Sequence, residues 1–411
     1  MADSHKTIWF VNYYGSTPET SIGGRHYYLA RELVRLGYNV HLIAASYTHL
    51  LSKPPVVVTP IQIEKVEGIN ITYVKLNRYN NAHSKKRIVN EFMFSWKLTR
   101  LFRQLPEKPD VILCSSPSLI SFLGVEYVAS KFENTSLCFE VRDIWPLTLI
   151  ELGGYSRYHP FVLFLQWIER RAYKKSAQVI SNLPYAARHM VRHGLDPRKF
   201  TWIPNGFTTK IAGTKKDLTD EFLEKIPQAK MIVGYTGTLG KANALDVLLD
   251  TAELLKTKKE IQFVIVGSGK EAEFLVNEIK LRELDNVKYM GAVPKNQIPS
   301  VLDLFDVCFA AFHKNRLYQF GTSLNKLPEY FISGKPIVYS VDSPYQPVKE
   351  ACAGFTLPAE DSTGIANAII QLYEMGKDAR IKLGQNGYEY ALKNHDYKIL
   401  AKRFINIFFN R

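Results

Sequence analysis

The segment TIWFVNYYGSTPETSIGGRHYYLARELVRLGYNVHLIAA, residues 7–45, contains the elements of one βαβ unit. The apolar stretch Thr7–Asn12 has the length of a strand and is followed by a loop with two adjacent glycines. Apolar residues then recur at helical spacing from Tyr27 to Val34, Gly37 ends this helix, and Asn39–Ala45 reads as a second strand. Such a connection is nearly always right-handed and joins parallel strands. The segment therefore predicts a parallel α/β sheet.

The same alternation continues through a chain of 411 residues, which is long enough for two domains. Further strand candidates of the first half lie at residues 69–76, 110–114, 136–141, 178–181 and 200–203. The turn Pro204–Gly206 opens a polar connection, after which strand candidates recur at residues 231–235, 262–266, 287–290, 306–311 and 336–340. We predict two Rossmann-like, doubly wound domains that face each other across a cleft, with domain boundaries at 1–204 and 205–390.

Composition and charge narrow the class of protein. With 46% hydrophobic and 22% charged residues the chain is globular, and its apolar runs are far shorter than the ~20 residues of a membrane span. Lys6 leads directly into a strand, so we expect no signal peptide. The four cysteines lack metal-site spacing and read as free thiols in a reducing cytosol. A net charge of +14 favours an anionic partner, with nucleic acid ranked below a membrane or a phosphorylated substrate.

The segment Gly321–Pro336, GTSLNKLPEYFISGKP, carries the clearest chemistry. Small polar residues precede Lys326 and the start of a helix, an arrangement that holds phosphate through free N–H groups, the helix dipole and a full charge. Glu329, one turn into that helix, is placed to accept hydrogen bonds from sugar hydroxyls. The alternative is an ordinary loop–helix–strand connection with a surface lysine.

Glycine-bearing loops follow several predicted strands in both halves. Because the carboxyl ends of parallel strands bind ligands in open α/β sheets, we expect these loops to face the cleft. They contain Gly23 and Gly24, Gly237 with Thr238, Gly267, and Gly321.

Residues 323–338 resemble the donor-site signature of GT-B glycosyltransferases of family 4. The resemblance looks closest to the branch of O-antigen and capsule fucosamine (L-FucNAc) and colanic-acid transferases. Further matches in the family's order extend it over essentially the whole chain: Gly23–Leu33, Val141–Pro146, Ile203–Gly206 and Gly234–Gly240.

The resemblance implies that the C-terminal domain holds a nucleotide-sugar donor and the N-terminal domain an acceptor. It also implies transfer with retention of configuration, without a metal ion or other cofactor, and the absence of an Asp-x-Asp motif agrees with this. Lys326 matches the family's diphosphate-binding lysine, Lys241 is a candidate second cation, and Glu329 matches the carboxylate that binds ribose. In such enzymes the last helix, here within residues 391–411, crosses back to the N-terminal domain.

Two departures from the family pattern are visible. Gly321 replaces the first glutamate of the Glu-x7-Glu motif, so we expect backbone N–H groups of Gly321, Thr322, Ser323 and Leu324 to contact the donor instead. Phe207-Thr208 replaces the usual Val-Asp after Pro-Asn-Gly. Val293 and Pro294 match the loop that contacts the base in the family, with an ordinary proline turn as the alternative.

In the N-terminal half, Asp143 follows a predicted strand and is a candidate for orienting or deprotonating the acceptor hydroxyl. An Arg142–Asp143 ion pair or a helix cap is the alternative. Gly23 and Gly24 would allow a phosphate to approach the backbone, flanked by Arg25 and His26. We expect His26, on the first turn of a helix, to be solvated.

Residues Lys85–Arg103 have the pattern of an interfacial helix. On a helical wheel Lys85, Lys86, Lys97, Arg100 and Arg103 share an arc with Val89, Met93 and Trp96, and Phe92 borders it. A basic face with exposed aromatics suits an anionic lipid surface. The alternative is a solvated helix with buried aromatics.

Together these observations predict a cytoplasmic enzyme peripheral to the inner face of the cell membrane. It would transfer an N-acetylated (deoxy)hexose from a UDP-sugar to a polyprenyl-diphosphate-linked saccharide in capsule or O-antigen synthesis. GDP-fucose is the alternative donor. A UDP-sugar 2-epimerase on the same fold and a non-catalytic sugar-nucleotide-binding subunit are the rival functions.

Overall fold

A computed structural model describes residues 6–21, 24–79, 84–208 and 216–409. The chain forms two compact units. Unit 1 comprises Met1–Pro204 together with Tyr397–Arg411, and unit 2 comprises Asn205–Asp396. Among the described residues, no helix is both long enough and apolar enough to cross a bilayer.

Unit 1 is built on one eight-stranded sheet. Its strands are β1 Thr7–Val11, β2 Asn39–Ala45, β3 Ile61–Val66, β4 Ile69–Val74, β5 Val111–Ser115, β6 Ser136–Val141, β7 Gln178–Ser181 and β8 Phe200–Trp202. The order is β3-β4-β2-β1-β5-β6-β7-β8, and every pair is parallel except β3–β4. Its helices are α1 Arg25–Arg35, α2 Lys85–Leu101, α3 Ile120–Ala129, α4 Leu147–Glu151, α5 Pro160–Lys175 and α6 Ala187–Arg192.

Unit 2 repeats this architecture with a six-stranded, wholly parallel sheet in the order β11-β10-β9-β12-β13-β14. The strands are β9 Met231–Thr236, β10 Ile261–Val266, β11 Val287–Tyr289, β12 Val307–Ala311, β13 Ile337–Ser340 and β14 Gly354–Leu357. The helices are α7 Asp220–Glu224, α8 Leu245–Leu254, α9 Ala272–Leu281, α10 Ile298–Asp303, α11 Leu327–Ile332, α12 Pro347–Glu350, α13 Ser362–Glu374 and α14 Gly376–Asn394.

Helices cover both faces of the unit 2 sheet. Alternate side chains of β9 point to opposite faces, so Val233 joins one core cluster and Ile232 the other. The first cluster contains Leu248 of α8, and the second contains Phe331 of α11. This arrangement confirms the predicted doubly wound fold class.

Two strands were not predicted from the sequence. β3 pairs with β4 through the two-residue turn Glu67-Gly68, in which both residues have positive φ, at 46° and 84°. A turn of this kind requires left-handed backbone, and glutamate is an uncommon residue there, so the usual Asn-Gly signal is missing. β14 is a four-residue edge strand whose pairing with β13 gives it its structure.

The last helix, α15 Tyr397–Phe409, packs within unit 1 on α1. Tyr397 stacks on Tyr28 with ring centroids 5.7 Å apart, and Phe404 makes an edge contact with Phe10 of β1. Its apolar face therefore completes the core around the first βαβ unit.

Candidate functional site

Lys326 precedes α11 and is half-buried among residues of unit 2. Its Nζ lies 3.8 Å from the centroid of the Tyr235 ring, a cation–π distance, and donates to Asn243 Oδ1 at 3.0 Å. Tyr235 belongs to β9, whose carboxyl end supplies the loop that surrounds the amine. The lysine is thus fixed at the edge where open α/β sheets bind ligands.

Burial lowers the pKa of Lys326 from its usual 10.5 to about 7, and the nearby Glu329 carboxylate opposes this shift only in part. The amine contacts a ring face and an amide oxygen, and no carboxylate among the described residues lies within ion-pair distance of it, Glu329 acting only from farther away. An anion placed against Nζ would stabilise the protonated form. The electrostatics of the site therefore favour the binding of an anion, which would pair with the ammonium group of Lys326.

The residues before Lys326 present free backbone donors. Gly321 has φ of +96°, and its N–H donates to Tyr318, whereas the N–H groups of Thr322, Ser323 and Leu324 have no acceptor among the described residues. The Thr322 hydroxyl is hydrogen-bonded to that of Tyr339 at 2.7 Å. These three amides directly precede Lys326 in the sequence and are available to a ligand.

Asn205 holds the same loop from a distant part of the sequence. Its Nδ2 donates to the Ser323 carbonyl at 3.1 Å and to Asn325 Oδ1 at 2.8 Å. Asn205 lies in the Pro-Asn-Gly motif, which the sequence predicted only as the turn that opens the connection between the domains. In the structure the motif braces the loop that carries the free amides.

Two glycine loops build the floor beneath the amine. A Cβ at Gly237, which has φ of +139°, would lie 3.0 Å from Lys326 Nζ. A Cβ at Gly267 would lie 1.8 Å from the Gly237 carbonyl oxygen, so the two loops pack backbone on backbone. The Thr238 carbonyl accepts hydrogen bonds from Tyr235 Oη and Asn243 Nδ2, and so locks the two partners of Lys326 in place.

Glu329 forms an ion pair with Lys295, a residue that was not predicted to take part in the site. Lys295 begins a short 3₁₀ turn directly after Val293 and Pro294, so the loop predicted to contact the base also carries the partner of the predicted ribose carboxylate. Helix α11 has only six residues, so its dipole contributes less to anion binding than the sequence pattern suggested. Lys241 is exposed, in the loop that ends at Asn243.

In unit 1, the prediction that the side chain of His26 is solvated is wrong. It is 3% exposed, and its Nε2 lies 2.7 Å from Glu140 Oε2. Arg25 donates from Nε to the other Glu140 oxygen at 2.8 Å and from its terminal nitrogens to the carbonyls of Ile203 and Pro204. Both side chains are therefore committed to structure and do not flank an open phosphate site.

The Glu140 carboxylate explains why these groups are buried together. Burial alone would raise its pKa, but Arg25 and His26 hold the pKa of Glu140 far below its usual range. Gly24 adopts φ of +81° at the start of α1. Gly23 lies outside the described residues.

Asp143 follows β6 and is exposed, at the carboxyl edge of the unit 1 sheet. Desolvation of its carboxyl group raises the pKa of Asp143, and Arg142 opposes the shift. The helix-cap alternative is wrong, because α4 begins at Leu147 and its N-cap residue is Pro146. Asp143 is thus available to a ligand at this edge.

A pocket lined by Trp145, two residues after Asp143, contains a carboxyl group that was not singled out from the sequence. Glu91 of α2 lines it together with Trp145, Tyr155 and Arg87. Burial raises the pKa of Glu91 to about 7, while Arg87 and the hydroxyl of Ser118, which donates to it at 3.1 Å, act in the opposite direction. This cluster could not be predicted from the sequence, because its members come from three different segments of the chain.

The α2 surface matches its sequence pattern. Phe94 and Leu98 are buried, whereas Val89 and Trp96 are 54% and 56% exposed, and Arg100 lies over the Trp96 ring. Lys97 differs from the exposed cations because it donates to the Lys75 carbonyl.

A second helix, which was not predicted to take part in this surface, extends it. Phe92 of α2 stacks on Phe164 of α5 at 5.8 Å, and Phe164 stacks on the half-exposed Trp167. Arg171 lies over the Trp167 ring, as Arg100 does over Trp96. Two adjacent helices therefore present aromatic rings to solvent, each tryptophan with an arginine on its face.

Comparisons with known proteins agree with this architecture. The family model described as Glycosyltransferase Family 4 matches residues 25–210, and that described as Glycosyl transferases group 1 matches residues 230–375. A comparison with curated protein sequences found no match.

Solved structures match over the full chain. Sucrose-phosphate synthase from Thermosynechococcus elongatus has a TM-score of 0.74 at 16% identity, with 99% of each chain covered. A glycosyltransferase from Rickettsia africae has a TM-score of 0.68 at 14% identity, covering 99% of this chain and 98% of its own. Anabaena HepE, solved with UDP-glucose, has a TM-score of 0.66 at 15% identity, covering 99% and 100%. These neighbours have the GT-B fold, which confirms the predicted architecture.

Proposed function

The chain belongs to glycosyltransferase family 4 and is a glycosyltransferase, and we propose that its donor is a UDP-linked N-acetylated hexose or deoxyhexose. The acceptor in this proposal is a polyprenyl-diphosphate-linked saccharide of capsule or O-antigen synthesis. The observation that carries it is the half-buried Lys326, an amine with a lowered pKa that follows in sequence three backbone amides without an acceptor among the described residues.

This arrangement suits the departure of a nucleoside diphosphate. As the bond between the anomeric carbon and the diphosphate oxygen breaks, negative charge grows on that oxygen. Lys326 and the amides of Thr322, Ser323 and Leu324 would stabilise this charge without reorganising. The new bond joins the anomeric carbon to an acceptor oxygen, whose proton must leave with a base. We propose transfer with retention and without a metal ion or other cofactor.

The remaining donor contacts follow from the same loops. Glu329 would exchange part of its pairing with Lys295 for hydrogen bonds from ribose hydroxyls, and Lys295 would then be free to approach a phosphate. The base would contact Val293 and Pro294, and Lys241 would add a second cation. Anabaena HepE, which shares the fold, forms a complex with UDP-glucose, and this supports a uridine donor here.

Unit 1 would receive the acceptor. Asp143 is exposed at the carboxyl edge of the sheet and would orient or deprotonate the acceptor hydroxyl. The nearby pocket, with Trp145 as an aromatic face and Glu91 as a hydrogen-bonding carboxyl, has the chemistry of a sugar subsite. The lipid part of the acceptor would lie in the cell membrane, and the aromatic and basic surface of α2 would contact that membrane. The protein would then act in the cytoplasm, at the inner face of the membrane.

Incubation with nucleotide sugars tests the proposal. Thermal shift against UDP, GDP, UDP-GlcNAc and UDP-FucNAc is expected to select a uridine nucleotide. Release of UDP that depends on a lipid-linked saccharide is the expected reaction. A shift with GDP alone would favour a GDP-fucose donor, inversion of the donor at C2 would indicate an epimerase, and saturable binding without turnover would indicate a binding subunit.

A further inference from the structure

A cluster of metal-ligand side chains lies in unit 1 between α5 and α6. Glu169 extends from α5, His189 lies in α6, and His193 follows one turn later at the end of that helix. One ligand atom from each of the three residues lies within 4.8 Å of the other two. Glu169 and His189 are buried, and His193 is half-buried. Two histidines four residues apart on a helix reach the same point in space, and a carboxylate from a second helix meets them there.

The outer contacts of the cluster favour metal binding. His193 Nδ1 lies 2.9 Å from the His189 carbonyl oxygen, so that nitrogen carries the proton and Nε2 is left as the ligand atom. The hydroxyl of Tyr173 donates to Glu169 Oε1 at 2.9 Å. Bound histidines and carboxylates are normally oriented by such second contacts.

One buried atom of the cluster lacks a partner. His189 Nε2, at 2.8 Å, and the Tyr173 hydroxyl both contact Glu169 Oε1, whereas Glu169 Oε2 is buried without a hydrogen bond. Leaving a buried carboxylate oxygen unsatisfied is costly. A cation beside Oε2 would remove this cost and would use the free nitrogen of His193.

We propose that Glu169, His189 and His193 bind one divalent transition-metal ion, with Zn²⁺ as the best match. Two imidazoles and one carboxylate form an established zinc donor set, and a water molecule would complete the four ligands through the half-buried side of His193. In binding, the proton between His189 Nε2 and Glu169 Oε1 is released to solvent, and their hydrogen bond is replaced by two metal–ligand bonds. The ion would pin α6 to α5 within unit 1, so its binding should stabilise the fold of that unit.

Cobalt titration of the tag-free full chain, after dialysis against EDTA, tests the site. We expect one Co²⁺ per chain with visible absorption of four-coordinate intensity, displaced by Zn²⁺. His193→Asn keeps an N–H donor for the His189 carbonyl but removes the ligand nitrogen, and should weaken binding at least tenfold. His313→Asn is the matched control, because His313 of unit 2 also lies between two carboxylates, Asp246 and Glu360, at 3.1 Å from each.

Thermal melting gives an independent readout. Zn²⁺ should raise the Tm of the parent and of His313→Asn, but not that of His193→Asn. Glu169→Gln provides a second ligand deletion and should also lose the cobalt spectrum. Equal cobalt affinity of the parent and His193→Asn, equal weakening by His313→Asn, or no binding to the parent would each overturn the proposal.

Discussion

At the scale of the residue, Lys326 is the side chain of unit 2 whose electrostatic environment bears most directly on the proposed function. Its amine rests on the Tyr235 ring and donates to Asn243, and burial lowers its pKa to about 7. A solvated lysine would already be charged and would gain little from a ligand. Here a bound diphosphate would complete the site, because it supplies the directly paired counter-charge that Lys326 lacks among the described residues.

Replacement of this lysine should affect turnover most. Lys326→Ala is expected to lower kcat about a hundredfold, since removal of one group that stabilises transition-state charge costs about 3 kcal/mol. Lys288→Ala is the matched control, because Lys288 is exposed on β11 of the same unit. Steady-state kinetics would decide, and a Lys326→Ala enzyme within a few-fold of the parent would remove Lys326 from the mechanism.

The lowered pKa also predicts a proton uptake on donor binding. Near pH 7 the free Lys326 is about half protonated, whereas the complex with UDP needs the ammonium, so binding should take up about half a proton. The proton uptake should approach one near pH 9 and should vanish below about pH 6. The affinity for UDP should fall as the pH rises above about 7.

Calorimetry in buffers of different ionisation enthalpy measures this uptake directly. Lys326→Gln is the control, because UDP itself titrates and its contribution must be subtracted. A parent and a Lys326→Gln variant with the same uptake at pH 8 would contradict a neutral amine in the free protein.

At the scale of the element, the site depends on how closely two glycine loops approach. Gly267→Ala would place a methyl group 1.8 Å from the Gly237 carbonyl oxygen, so the backbone beneath Lys326 must move. We expect the free energy of unfolding to fall by about 1–3 kcal/mol, as in overpacked cores, together with weaker UDP binding.

The same loop region offers a matched control for this substitution. A Cβ at Gly240 meets no atom within 4 Å, and the residue has φ of −142°, which any residue adopts. Gly240→Ala should therefore leave the Tm almost unchanged in the same thermal melt. Equal melting of the two variants would show that the loops are not in tight contact.

Local sequence patterns predicted the elements better than their side-chain partners. The βαβ unit at residues 7–45 was recognisable because hydrophobic period and glycine position act over a few residues. By contrast, His26 meets Glu140 across 114 positions, and Asn205 meets Asn325 across 120. No spacing in a single sequence encodes such pairs, so the burial of His26 and the bracing role of Asn205 emerged only from the fold.

The same limit applies to the candidate site. Lys326 and the loop of small residues before it could be predicted, since they are contiguous in sequence. The ion pair of Lys295 with Glu329 and the pocket around Glu91 could not, because each depends on the packing of separate elements. The β3–β4 hairpin was missed for a local reason, namely a glutamate in left-handed backbone at Glu67.

At the scale of the whole molecule, the net charge of +14 must be weighed against where apolar surface is exposed. Charge alone would attract any polyanion, and that attraction would be largely screened beyond about 8 Å at physiological salt. The surface formed by α2 and α5 adds exposed Trp96 and Trp167, each beneath an arginine. Tryptophan and arginine together match the interfacial region of a bilayer better than they match a nucleic acid backbone.

Charge reversal on this surface should therefore release the protein from anionic vesicles. Each basic residue near such a membrane contributes about 1 kcal/mol, so Arg100→Glu with Arg103→Glu should weaken vesicle binding at least about thirtyfold. Lys377→Glu with Lys382→Glu is the matched control, since it makes the same change in net charge on the exposed face of α14 in unit 2. Sedimentation with phosphatidylglycerol vesicles measures the binding of both double variants.

If the two double variants lose binding equally, the attraction is due to net charge alone and α2 is not a docking surface. Arg100 lies in α2 and Arg103 in the 3₁₀ turn that follows it. If only this pair loses vesicle binding, and Trp96→Ala with Trp167→Ala loses it even at high salt, the aromatic rings must enter the bilayer.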